Sequence, residues 1–324
     1  MKVLHELSEC RSEPGPLCLA IGFFDGMHRG HARVIAATRR RADERSGRTW
    51  VMTFDPHPAA VLKPDAAPRL MTTLAQKLRL IEREGVDGCV VIPFTKALSE
   101  RSPESFVRML TENTPQLSGL FVGRNWRFGK DRRGSAAVLR DLARPSGIDV
   151  TAVPYSKRHG EPVSSTRIRT AITVGDLDEA AAMLGRPVSV FGTVARGRQV
   201  GRELGFPTAN IDTGDILLPP YGIYAAYASF GDDTPRPSIV SYGVRPTFLG
   251  AGSAPAVFEV HVFDFDGELY GAEAEIYLMG RIRDEIAFEN ADALRTAMVR
   301  DASETRKLLR RKKLKESLYT LIGA

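Results

Sequence analysis

Two histidines three residues apart, His28 and His31, close the run Gly22-Phe-Phe-Asp-Gly-Met-His-Arg-Gly-His31. The run follows a short apolar segment and opens an amphipathic stretch, so both rings fall at a predicted helix N-terminus and can face one ligand together. Unpaired N–H groups and the positive end of the helix dipole favour phosphate there, and paired imidazoles add donors that follow charge developing on a phosphoryl group. Glycines 22, 26 and 30 leave room for a nucleotide to approach the backbone. Two histidines that only cap a helix and pack are the alternative. The strand-loop-helix setting and the HxGH spacing agree on the phosphate reading. Positioning and electrostatics suffice for phosphoryl-type transfer, so neither ring needs to become covalent.

Three further runs stand where strands should end or helices begin. In Phe54-Asp-Pro-His-Pro58, Pro56 and Pro58 stiffen a loop that can wall a flat ring, and His57 reads equally as a site residue or an exposed loop residue. In Gly123-Arg-Asn-Trp-Arg-Phe-Gly-Lys130, Asn125 can read a heterocycle edge or a sugar. Trp126 and Phe128 offer stacking faces or core packing. In Ser164-Ser-Thr-Arg-Ile-Arg169, hydroxyls and N–H groups at a helix start, with Arg167 and Arg169 beside them, make a second anion site or a simple N-cap.

A second constellation lies downstream. Gly197-Arg-Gln-Val-Gly-Arg-Glu-Leu-Gly-Phe-Pro-Thr-Ala-Asn210 carries glycines at 197, 201 and 205, and that spacing predicts a mobile flap. It lacks the order of a P-loop. Thr208 and Asn210 are hard oxygen donors suited to Mg²⁺ that also touches ATP oxygens. Val257-Phe-Glu-Val-His-Val-Phe263 alternates as a strand and sends Glu259 and His261 to one face. A carboxylate at Glu259 can take the proton of an attacking hydroxyl. A solvated strand glutamate is the alternative.

The elements that must hold these residues change character along the chain. Up to about Pro154, short β-rich runs (Leu17 to Phe23, Trp50 to Phe54, Gly88 to Ile92, Leu120 to Gly123, Val150 to Val153) alternate with helical spacing around Ala32 to Glu44, Leu74 to Glu84, Pro103 to Thr111 and Ser135 to Ala143. That rhythm predicts a parallel α/β sheet with ligands beyond the strands' carboxyl ends. A helical stretch from Thr166 to Leu184, broken at Gly175-Asp176, stops at Gly185-Arg-Pro187. We therefore expect one domain over 1–186 and a second over 187–324, as 324 residues suggest. The second reads as a small antiparallel barrel, with strands at Val188 to Ala195, Gly222 to Ser229, Ser238 to Tyr242, Val257 to Phe263 and Glu273 to Met279, and a helical tail from Ala291 to Leu321.

Composition narrows the classes. No apolar run approaches the roughly 20 residues of a membrane span, and the acidic start of the chain lacks a signal core, so a cytoplasmic protein is expected. Cys10, Cys18 and Cys89 lack disulfide or zinc-ligand spacing. A net charge of +6 suits phosphate ligands as well as nucleic acid. The basic run Arg306 to Lys315 carries leucines at 308, 309 and 314 and reads as an amphipathic helix with a solvated charged face rather than an RNA or membrane anchor.

The HxGH run looks like that of the nucleotidylyltransferases, and its full wording resembles the prokaryotic bifunctional riboflavin kinase/FAD synthetases. The Phe54, Gly123 and Ser164 runs follow in that family's order, as do Gly205-Phe-Pro-Thr-Ala-Asn210, Pro219-Pro-Tyr-Gly-Ile-Tyr224, Gly243-Val-Arg-Pro-Thr-Phe248, Glu259-Val-His261 and Asp264-Phe-Asp-Gly-Glu-Leu-Tyr-Gly271. Trp126 stands where phenylalanine is expected, and Met27 where a branched aliphatic is usual. The resemblance implies a Rossmann-like adenylyltransferase sheet followed by a six-stranded kinase barrel with a terminal helix. It implies Mg²⁺ and ATP, with riboflavin, FMN and FAD as substrates or products. The catalytic residues would be His28, His31 and Glu259. ATP would meet Gly22, Phe24, Asp25, Gly30, Ser164, Ser165, Thr166, Arg169, Gly201, Gly205 and Thr208. Flavin would meet Phe54, Pro56, Pro58, Asn125, Trp126, Phe128, Arg283 and Glu285, and the metal Thr208 and Asn210. No nucleic-acid or membrane partner and at most a weak homo-oligomer are expected. Retention of only one activity, or an HxGH fold that binds nucleotide or RNA, are the competing readings.

Overall fold

The computed structural model describes residues 1–196, 205–231, 234–244 and 256–315. The chain divides into two compact units, the first built from Met1–Leu70 and Leu74–Ser165, the second from Thr166 onward, with Met71–Thr73 grouped with it.

The first unit is built on a parallel sheet of β1 (Lys2–Leu4), β2 (Leu17–Ile21), β3 (Arg48–Asp55), β4 (Gly88–Pro93), β5 (Leu117–Gly123) and β6 (Asp149–Val153), ordered β1-β4-β3-β2-β5-β6. Strands of such a sheet are covered on both faces, so they read as continuous apolar runs. Their alternation sorts the core in two. Leu17, Leu19 and Ile21 of β2 join Trp50, Met52 and Leu120 on one face, while Cys18 and Ala20 join Val51, Cys89 and Phe121 on the other.

Helices α1 (Arg29–Glu44) and α3 (Leu74–Glu82) put Val34, Ile35, Leu80 and Ile81 on the second face. The first face is covered by α5 (Pro103–Asn113) and α6 (Ala136–Ala143), through Phe106, Leu110 and Leu139. Two short helices, α2 (Pro58–Leu62) and α4 (Lys96–Ser99), follow β3 and β4. A two-residue pair, β7 (Lys157–Arg158) with β8 (Glu161–Pro162), precedes α7 (Ser165–Thr173). The sequence reading missed β1, three residues within a charged segment that pair with β4.

In the second unit, α8 (Leu177–Leu184) packs beside a closed antiparallel barrel. Its strands are β9 (Val188–Ala195), β10 (Ala209–Asp212), β11 (Gly222–Phe230), β12 (Arg236–Val244), β13 (Ala256–Val262) and β14 (Glu273–Arg283), ordered β10-β13-β12-β11-β14-β9. Ala226, Val240, Val260 and Leu278 fill the inside. The helix α9 (Ala291–Arg311), capped by the Asn290 side chain, lays Leu308 and Leu309 on the outer face of β11 and β14, against Ala225, Tyr277 and Met279. Its basic residues meet nearby carboxylates: Arg306 takes Asp264 with both guanidinium nitrogens at 2.9 Å, and Lys307 takes Glu304 at 2.8 Å. The amphipathic reading of the tail therefore holds as far as Arg311, and residues beyond 315 lie outside those described.

One expectation is corrected. The glycine-spaced run to Asn210 was read as a flap throughout, yet Ala209 and Asn210 belong to β10, the sixth strand, paired with both β9 and β13. Gly201, with the rest of 197–204, lies outside the described residues.

Candidate active sites

The strand order of the first unit changes direction between β2 and β5. Open parallel sheets bind ligands beyond the strand ends at such a switch. The loops emerging there are those the sequence singled out: 22–28 after β2, 56–57 after β3 and 124–130 after β5.

His28 is the N-cap of α1, its Nδ1 accepting from the backbone N–H groups of Gly30 at 3.1 Å and His31 at 3.2 Å. A nitrogen that accepts twice carries no proton, so the neutral ring holds its proton on Nε2, as a donor directed away from the helix. The His31 ring stacks on His28 at 3.6 Å and 14°. Gly30 must lack a side chain, because a Cβ there would stand 2.9 Å from the His28 ring. The preceding turn is left-handed at Phe24 (φ 58°), Gly26 (φ 75°) and Met27 (φ 36°). Left-handed Phe and Met are costly, and such strain clusters at functional sites. Phe24 and Asp25 are buried, with Phe24 edge-on to His31 at 5.2 Å and packed beneath Gly22. Phe24 thus supports the histidine pair from below.

The loop after β3 shows its polar and apolar sides separately. His57 caps α2 through Nδ1, 3.0 Å from the Ala59 N–H, and stands edge-on to Phe23 at 4.3 Å. Phe54 is buried against Phe94, whereas Pro56 is exposed and Pro58 half-buried. After β5, Asn125 is exposed and Trp126 half-buried, its ring stacked 4.7 Å from that of Phe128. Phe128 itself is buried against Phe106 and fills the space over Gly134. Ser165, at the start of α7, sends its hydroxyl to the Asp25 carbonyl at 3.4 Å, and Ser164 is half-buried. Thr166 and Arg169 belong to the second unit, where Arg167 pairs with Glu179 at 3.6 Å.

In the barrel, register brings the second constellation together. Asn210 on β10 lies opposite Glu259 on β13, and Glu259 lies opposite Ser241 on β12. Directly opposed residues share a face, with Cβ atoms roughly 5 Å apart. Val260 points inward, so this face is the barrel's outside. Thr208 is half-buried just before β10, and the preceding loop is pinned by His261, whose Nδ1–H donates to the Pro207 carbonyl at 2.7 Å. Burial holds the His261 pKa below its usual value. Gly205 sits in the left-handed turn before it (φ 81°). Arg283 gives its guanidinium to buried Asp301 of α9 through three bonds of 2.7 to 3.0 Å. Glu285 is exposed, its carboxylate 3.3 Å from the Val244 N–H and filling the space where a Cβ on Gly243 would stand.

Each unit matches a separate family model, FAD synthetase over residues 10–167 and riboflavin kinase over 184–309. The bifunctional riboflavin kinase/FMN adenylyltransferase of Escherichia coli K12 is 32% identical over 302 residues, which cover 93% of this chain and 96% of that one. The chain belongs to the bifunctional riboflavin kinase/FMN adenylyltransferase family. The Listeria monocytogenes member is 36% identical, covering 89% and 91% of the two chains. A Streptococcus pneumoniae crystal structure titled as a macrolide-efflux protein superposes with a TM-score of 0.82 at 27% identity, covering 94% of this chain and 99% of that one. Among the described residues of this family member, no helix is long and apolar enough to cross a membrane.

Within this family member, sequence reasoning missed Lys77, Ser241 and Asp301. Lys77 had a legible signal, since it stands three and four residues before Leu80 and Ile81 on the apolar face of α3. The other two depend on pairing across strands and a distant helix, which no local pattern reveals.

Proposed function

We propose that the barrel phosphorylates riboflavin to FMN and that the parallel-sheet unit adenylylates FMN to FAD, releasing pyrophosphate, with Mg-ATP serving both. The match of each unit to its own family model, in a chain that spans its bifunctional relatives nearly end to end, carries this reading.

For adenylyl transfer, the FMN phosphate attacks the α-phosphorus of ATP and pyrophosphate leaves. His28 supplies an Nε2–H donor, fixed before the substrate arrives, to the charge that builds on the phosphoryl oxygens, and His31 stacked upon it holds the ring in place. Gly22, Phe24, Asp25, Gly30, Ser164 and Ser165 form the proposed ATP side. Phe54, Pro56, Pro58, Asn125 and Trp126 form the flavin side, with Phe128 backing Trp126. For the kinase, Glu259 takes the proton from the ribityl hydroxyl as it attacks the γ-phosphorus. Asn210 and Thr208 supply neutral oxygens to Mg²⁺, and Gly205 lies beside the phosphates. Among the described residues no three His, Cys, Asp or Glu side chains cluster tightly enough to cage an ion. That suits Mg²⁺, which is usually held by one or two protein oxygens together with substrate phosphates. Arg283, held by Asp301, and Glu285 border the proposed flavin end of the barrel site.

We also place the functional boundary at 186, the protein in the cytoplasm as at most a weak homo-oligomer, and its partners among small molecules rather than nucleic acid. Product mapping tests the assignment of sites. Glu259→Gln should make no FMN from riboflavin yet convert supplied FMN to FAD, and His28→Asn should accumulate FMN. Equal loss of both reactions in either variant would overturn separate sites.

A further inference from the structure

A lysine that no proposed role uses lies at the root of the first site. Lys77 is 4% exposed, deeper than any other lysine among the described residues, and it stands on the core face of α3. Its ammonium donates to the Phe54 carbonyl at 3.1 Å and lies 4.6 Å over the Phe23 ring. Phe23 belongs to the loop after β2 that leads to His28, and Phe54 is the next-to-last residue of β3, just before the Pro56–Pro58 turn. One cation therefore ties the loop after β2 to the end of β3 from beneath. The tie continues upward, because the Phe23 ring carries His57 on its edge and the Phe23 carbonyl accepts the Thr53 hydroxyl at 3.0 Å. Burial pushes the Lys77 pKa down, and the nearby Asp55 and Asp25 carboxylates oppose that shift.

A buried ammonium is costly unless it is paired and hydrogen-bonded. An apolar residue of the same length would fill α3's core face at less cost, so packing alone does not account for a lysine here. We propose that Lys77 is a positioning residue for adenylyl transfer, fixing the wall of the flavin subsite by holding the loops after β2 and β3 in register. The inference rests on the reading that the Phe54 to Pro58 loop meets the flavin. Lys77 acts through Phe23, His57 and the Phe54 carbonyl rather than on the reacting phosphates.

The test compares Lys77→Met and Lys77→Arg in the full-length protein, with KM measured separately for FMN and ATP and the riboflavin kinase reaction as an internal control. Removing a charge-assisted hydrogen bond costs about 1.5–3 kcal/mol, so Lys77→Met should raise the KM for FMN by roughly 10- to 100-fold. The kinase reaction should stay unchanged, the KM for ATP should rise far less than that for FMN, and Lys77→Arg, which keeps the cation, should recover part of the loss. A partly unfolded population would lower kcat and leave both KM values alone, so an unchanged KM for FMN overturns the proposal whatever happens to the rate. An equal rise in both KM values also overturns it. If Lys77→Met changes nothing while His28→Asn still abolishes FAD formation, this inference fails and the assignment of the site stands.

Discussion

The capping of α1 by His28 and its proposed role as a donor to the phosphoryl group are separable, and a substitution can divide them. Asparagine is as good an N-cap as any residue and would accept from the same backbone N–H groups, but it has no counterpart to the Nε2–H. His28→Asn should therefore keep the fold and cut kcat for FAD formation by about 10²–10³-fold, the usual cost of one preorganised donor. An unchanged kcat would assign His28 to capping alone. Glu259→Gln keeps shape and removes the base, so riboflavin phosphorylation should fall by about 10²–10⁴-fold. EDTA should stop both reactions and added Mg²⁺ restore them, with Asn210→Ala raising the Mg²⁺ needed for the kinase alone. The placing of His28 and His31 at a helix start and of Glu259 on a strand was legible in the sequence, because each sits in a short run whose setting could be read locally. The opposition of Asn210 and Glu259 was not, since it depends on which strands pair.

At the level of elements, the parallel sheet was read from its apolar runs, and five of its six strands overlap the expected segments. β1 escaped because three residues cannot display a pattern, and β10 because the glycines before it masked a four-residue strand. Close packing gives the sheet a specific weak point at Gly88, where a Cβ would come within 2.4 Å of the buried Trp50 indole. Gly88→Ala should cost about 1–3 kcal/mol, the usual range for overpacking, as measured by urea unfolding of the first unit. No loss would mean that the indole has room to move. In the second unit, Asp301→Ala leaves the Arg283 guanidinium without its carboxylate. Since that pair makes charge-assisted bonds and Asp301 is buried, a loss of about 2 kcal/mol is expected, together with weaker riboflavin binding if Arg283 borders the flavin.

Across the whole molecule, the cysteines report on folding rather than on chemistry. Burial pushes Cys89 up to about 12 and Cys10 to about 11. In the unfolded chain thiols ionise near about 8.5. Between those values the folded protein binds more protons than the unfolded one, so their contribution makes stability fall as pH rises through that window. Denaturant midpoints at increasing alkaline pH should decline, and Cys89→Ala should flatten the decline. The wider organisation, a parallel sheet followed by a barrel, was legible because hydrophobic periodicity and turn chemistry change character along the chain. Two units, each matching its own enzyme family, account for one chain performing consecutive reactions. The most direct test is a time course of the purified protein with riboflavin, ATP and Mg²⁺, resolving the flavins by chromatography. FMN should rise first and FAD follow at its expense, whereas riboflavin left unchanged, or FMN that never becomes FAD, would contradict the account.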